Sequence, residues 1–204
     1  MRIEYARSTS LIGIPYGPVD RPNGDRCHGF FDLKANPALI DAVPELGDIP
    51  ELKAFVRELN HPRSIVRSLA CEKSISPFDD PVVKFKLTSF VRICFEILSW
   101  NYDEKNYELL FTMLNEGAAR AKKEIADFVI VELKLDPAVF AVHGTTGWSM
   151  TLWVNGWGPT EKDAKAYWMI GIQMLQDFFA SQRTMFGAEL DKGLPTVLRQ
   201  DAAA

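Results

Sequence analysis

The sequence predicts an α+β protein, an antiparallel sheet with helices packed mainly on one face. Three observations carry that reading. Residues 84–97 alternate with period two: Phe85, Leu87, Ser89, Val91, Ile93, Phe95 and Ile97 on one side, Lys84, Lys86, Thr88, Phe90, Arg92, Cys94 and Glu96 on the other. That is a strand with one buried face. Leu110, Met113, Leu114, Gly117, Ala121, Ile125 and Phe128 recur at helical spacing, as one stripe of an amphipathic helix does. Strand-like and helix-like segments also follow one another irregularly, which fits neither a doubly wound sheet nor an all-β protein.

Taken in order, Arg2 to Ile14 is rich in β-branched and aromatic residues and reads as a strand. Gly17 to Gly24, with Pro18, Pro22 and Asn23-Gly24, is turn chemistry. Gly29 to Lys34 reads as a second short strand, able to pair with the first as a long-looped hairpin. Asp48 is placed to cap a helix with Pro50 in its first turn and an apolar stripe of Leu52, Phe55, Val56 and Leu59. Asn60-His61-Pro62 ends that helix. Arg63 to Ile75 is strand-like and residues 77–81 form the turn into the 84–97 strand, which is long enough to need a bulge or bend. Residues 127–135 read as strand or helix end, with Asp136-Pro137 as the firm break. Trp148 to Trp157 is a strand with Trp148, Met150, Leu152 and Val154 on one face and Ser149, Thr151, Trp153, Asn155 and Trp157 on the other. Thr160, with Asp163 three residues on, caps a strongly apolar final helix. Residues 1–186 then form one α+β domain and 187–204 a C-terminal tail. Residues 29–135 can be threaded as a ferredoxin-like βαββαβ unit if 127–135 is a strand.

Composition bounds the function. The chain has 204 residues, 47% hydrophobic and 25% charged, with a formal net charge of -4, so one sizeable core is affordable and no large basic surface exists. Nucleic acid, which demands clustered Lys and Arg, is not an expected partner. No secretory signal is read at the start, and the longest strongly apolar stretch, Tyr167 to Ile172 extended by Met174 and Leu175, is far short of the ~20 residues that span a membrane. Cys27, Cys71 and Cys94 are odd in number and widely spaced, so they read as free thiols of a cytoplasmic protein.

Residues able to carry chemistry are scattered. His28, His61 and His143 lie far apart, without CxxC, HxxxH or HxD, so no metal and no cofactor is expected. Cys71 beside Glu72 and Cys94 near Glu96 are thiols with nearby carboxylates, but no GxSxG or other nucleophile motif supports them. His143-Gly144-Thr145-Thr146-Gly147 lacks both phosphate-loop patterns and reads as a tight loop entering the next strand. Asp41, Glu45, Asp48 and Glu51 form either a solvated loop and cap or a docking surface for a basic partner. Trp153, Trp157 and Phe90 project to otherwise polar strand faces, where something should cover them: another layer of the chain, a protein partner or second copy, or a small molecule.

The functional expectation is a non-catalytic binding protein, of the inhibitor or immunity type, that engages another protein or a second copy of itself. The alternative is a cofactor-independent enzyme for a small apolar or aromatic substrate, with Arg92, Cys94 and His143 as the polar groups of a Trp-lined pocket.

Overall fold

A computed structural model describes residues 1–20, 22, 26–47, 49–78, 80–119 and 127–198. Their strands are β1 (Arg2–Arg7), β2 (Ile12–Ile14), β3 (Val19–Asp20), β4 (Arg26–Cys27), β5 (Val66–Pro77), β6 (Phe85–Phe95), β7 (Val129–Phe140) and β8 (Thr145–Gly158). The helices are α1 (Pro50–Leu59), α2 (Lys105–Ala118) and α3 (Glu161–Phe186), with short 3-10 turns at Pro37–Ala42, Pro44–Leu46, Leu98–Asn101 and Gly187–Lys192. The main sheet runs β1-β7-β8-β6-β5, and β2 lies beside β7 beyond the end of β1. β5 through β8 pair antiparallel, while β1 and β2 run parallel to β7. The chain is thus an α+β protein with a mostly antiparallel sheet, as its patterning requires.

The period-two strands place their apolar sides on the helices. Leu87, Val91 and Ile93 of β6, Val131, Leu133 and Leu135 of β7, and Met150, Leu152 and Val154 of β8 form one buried cluster with all three helices. α1 contributes Leu52, Phe55, Val56 and Leu59, α2 Tyr107, Leu110 and Leu114, and α3 Trp168, Ile172, Leu175 and Phe179. Each fully buried side chain of this kind contributes roughly 1.5–3 kcal/mol relative to exposure. Ser89, the one polar residue on the apolar side of β6, accepts a hydrogen bond from Trp168 Nε1 at 2.8 Å, which satisfies both buried groups. Gly156 sets how closely α3 approaches: a Cβ there would lie 2.3 Å from Ala164 O and from Trp168 N. α3 begins as expected, with Thr160 Oγ1 accepting from the Asp163 N–H at 3.2 Å.

Several expectations change. The Arg2 to Ile14 strand is two strands, because β1 matches β7 at 130–135 and β2 matches it again at 138–140. Residues 29–34 form no strand, and the small hairpin is β3 with β4 instead. The ferredoxin-like unit is therefore absent: it lacks its first strand, and β8 sits between β6 and β7. Residues 127–135 enter β7, and Asp136-Pro137 does not break it. The alternation of bonded pairs turns the nitrogen of Pro137 toward the β1–β2 side, and that side is unpaired between Leu135 and Ala138. A central strand tolerates proline where no ladder donor is needed. The bulge falls in β5 rather than β6, between Ser68 and Ala70. Ile49, not Asp48, occupies the N-cap of α1. Asp48 lies outside the described residues, as do Ala121 and Ile125 of the helical stripe.

The last described residues also fold back. Leu98 N–H donates to Pro195 O and Val197 N–H to Glu96 O, and Val197 is buried. Val197 joins Ile14, Leu69, Cys94, Leu98, Ala138 and Phe140 in a second, smaller core. That core covers one end of the sheet face opposite the helices.

Candidate functional site

The helix-free face is built by the even residues of β6 and the odd residues of β8. Part of it is a polar ladder. Arg92 Nε donates to Thr151 Oγ1 at 3.1 Å, Thr151 donates to Asp136 Oδ2 at 2.7 Å, and Thr88 donates to Asn155 Oδ1 at 2.9 Å. Aromatic rings are set into this ladder. Phe90 and Trp153 are directly opposite in register, with ring centroids 4.8 Å apart. Trp157 meets Phe78 edge-on at 4.7 Å and carries Lys86 Nζ 4.7 Å above its ring. The edge-on Phe78–Trp157 pair and the Lys86 ammonium over Trp157 have the geometries that ring quadrupoles favour. Phe90, Trp153 and Trp157 are half-buried and lie outside the second core.

Beside this face a cleft of about 340 Å³ runs along the outer edge of β5. Ser68, Leu69, Ala70, Cys71, Glu72 and Lys73 all line it. Neighbouring strand residues point to opposite faces, so a cavity touched by a consecutive run must face the strand edge. Phe90 reaches it from the open face and Val56 of α1 from the helix side.

The far wall is Arg26 to Gly29 with Pro44 and Glu45. Gly29 adopts φ +88, and a Cβ there would stand 3.0 Å from Pro18 N, so the wall needs a glycine to turn. His28 Nδ1 lies 2.8 Å from Glu45 Oε1, tying the two parts of the wall together. Tyr16 OH donates to Leu69 O at 2.8 Å and closes one end over the bulge.

Cys71 forms part of the cleft floor. Burial, then the negative charges of Glu45 and Glu72, push its thiol up to about 12. A thiol so disposed is not a thiolate nucleophile near neutrality. All three cysteines are free. Among the described residues no group of three or more His, Cys, Asp or Glu is placed to hold a metal ion.

A second cavity, about 360 Å³, lies at the opposite end of β5 and contains the buried charges. Arg67 donates through Nε and Nη2 to Glu96 at 2.7 and 2.8 Å, Lys34 Nζ is 3.3 Å from Glu96, and Asp32 is 3.4 Å from Arg67. Burial opposes the Glu96 charge, but the Arg67 and Lys34 contacts outweigh it and hold the carboxyl below its ordinary value. Two cations and two carboxylates neutralise one another, and they anchor the 32–34 turn that carries Phe31 and Leu33 to the cleft.

The enzyme's polar groups do not converge. Cys94 is fully buried in the second core, and burial raises its thiol to about 12. His143 Nε2 donates to the carbonyls of Thr196 and Val197 at 2.9 and 3.1 Å, pinning the returning chain. Arg92 stays in the sheet ladder. The acids at 41–51 are also dispersed. Asp41 pairs with Lys53 and Arg57, Glu51 with Lys165, and Glu45 alone faces the cleft. Tyr16, His28 and Glu72 were not singled out as binding residues by their spacing, because they reach the cleft from a proline-rich segment, a loop and a strand edge.

No protein-family model matches the chain, and neither a curated protein nor a solved structure matches it.

Proposed function

We propose that this chain is a non-catalytic binding protein, of the inhibitor or immunity type, that holds a polypeptide partner against the open sheet face and the β5 cleft. One observation carries the reading: Phe90 belongs to both surfaces, its ring tilted against that of Trp153 and lining the cleft. A half-exposed aromatic row continuous with a groove is the kind of surface on which interface energy concentrates. The raised thiols and the separation of Arg92, Cys94 and His143 weigh against the enzyme alternative. A net charge of -4 disfavours nucleic acid as the partner. No described helix is long and apolar enough to cross a membrane, and three free cysteines suit a reducing cytoplasm.

The test is quantitative affinity capture from the native cell with wild-type and Trp153→Ala baits. A specific protein whose recovery falls about tenfold with Trp153→Ala is the expected result. Equal recovery by both baits, or a small-molecule ligand and no protein in native mass spectrometry, refutes the proposal.

A further inference from the structure

The geometry points to strand addition: we infer that the free edge of β5, from Cys71 to Ile75, pairs through its main chain with an extended segment of the partner polypeptide that carries a basic residue opposite Glu72. This rests on the binding reading above and specifies how the partner is held.

The register decides which groups are free. Glu96 N–H donates to Ile65 O, and Phe78 N–H donates to Lys84 O. Even residues of β6 therefore bond to β5, and Ala70, Glu72, Ser74 and Ser76 are their partners. Cys71, Lys73, Ile75 and Pro77 consequently turn their main-chain groups outward. No hydrogen bond to the outward groups of Cys71, Lys73 or Ile75 is formed among the described residues. Open edges of this kind template another strand.

The edge is bounded on both sides. Pro77 offers no outward N–H, so pairing stops there. The Leu69 bulge, with its carbonyl taken by Tyr16, stops it at the other end. Only a short window remains: Cys71 to Lys73 line the cleft and Ser74 and Ile75 continue the edge beyond it, a length that suits one added segment and discourages open-ended sheet growth.

Charge selects the occupant. Glu72 has no cation within ion-pair distance among the described residues, whereas two other charges of the lining are engaged, Glu45 with His28 and Arg26 with Asp20. The Lys73 ammonium sits 5.9 Å over the Trp168 ring, on the helix side. A strand laid on the edge would place every second side chain on the face of Glu72, with Phe90 one strand further in and reaching the same cleft. A basic residue there pairs with Glu72, and an apolar neighbour on the same face covers Phe90. Main-chain bonds would supply affinity and the alternate side chains specificity.

The probe is a phage-displayed library of random dodecapeptides panned against the full chain, with the best binder synthesised and its Kd measured. Lys73→Pro, read against Lys73→Ala, which loses the same contact over Trp168 but keeps the N–H, isolates the outward donor and should weaken binding about tenfold or more relative to Lys73→Ala, as should N-methylation of alternate peptide nitrogens. Glu72→Lys should weaken a basic peptide and favour its acidic counterpart. In the wild type, the Lys73 and Ile75 amides should exchange about tenfold more slowly with peptide bound, a readout that needs no variant. The inference is overturned if no peptide is enriched over the Lys73→Pro protein, if Kd changes less than about twofold in the folded variant, or if those amides are unprotected. A dimer of this chain that Lys73→Pro abolishes also overturns it, by making a second copy the occupant. Binding sensitive to Trp153→Ala but not to Lys73→Pro overturns the edge inference alone and leaves the binding reading standing.

Discussion

Replacing Glu96 with glutamine removes the carboxylate that neutralises two buried cations while keeping the side chain's shape. The side chains of Arg67 and Glu96 are only 6% and 10% exposed, so water compensates little. A unit pair at ~4 Å between charge centres and an effective dielectric near 20 is worth about 4 kcal/mol. Orphaning one member of a buried pair typically costs about 3–5 kcal/mol. Asp32 remains 3.4 Å from Arg67, which places the expected loss near the lower end, about 3 kcal/mol. Against a total of about 5–15 kcal/mol, that is large.

Urea titration across pH reads both the size and the sign of this effect. The Glu96 carboxyl is held below its ordinary value in the folded chain. Its contribution is therefore fully present above the ordinary glutamate value of about 4.3 and disappears as pH falls through the lower folded value. The gap between wild type and Glu96→Gln should be constant above about pH 5 and narrow below about pH 4. The double replacement Arg67→Met with Glu96→Leu should be less damaging than Glu96→Gln alone. A Glu96→Gln loss under about 1 kcal/mol, or a gap unchanged at pH 3, would refute the reasoning.

Gly156→Val should lose about 3 kcal/mol or fail to fold, because its Cβ would lie 2.3 Å from α3 backbone atoms, far inside van der Waals contact; a melting temperature within a few degrees of wild type contradicts that packing. Trp168→Phe should cost about 1–3 kcal/mol by leaving Ser89 buried without its donor, and Trp168→Phe with Ser89→Ala should recover part of it. Trp153→Ala should cost about 1–2 kcal/mol, the Phe90 ring pair plus the buried part of the indole, so its effect on binding is separable from folding; a loss above about 3 kcal/mol would make it a core residue instead. In native protein at pH 8, Cys94 should resist iodoacetamide until urea unfolds the chain, as mass spectrometry of the labelled peptides will show.

The strand faces and helix stripes were legible in residue order alone. Period two at 84–97 and 148–157 and helical spacing at 52–59 are local consequences of burying one side of an element, so they survive without knowledge of the partner element. The Thr160 cap and the one-sided projection of Phe90, Trp153 and Trp157 were readable for the same reason. Which strands meet depends on long-range packing. Pro137 looks like a stop signal until the gap between β1 and β2 removes the need for its N–H. Residues 29–34 carry strand-like chemistry, yet they wrap the sheet edge because Arg67 and Glu96 anchor the turn beside them. The cleft is a property of an unpaired edge. Whether an edge is paired depends on strand order, set by contacts far apart in the chain, and that is why nothing local marks Tyr16, His28 and Glu72 as neighbours in one cleft.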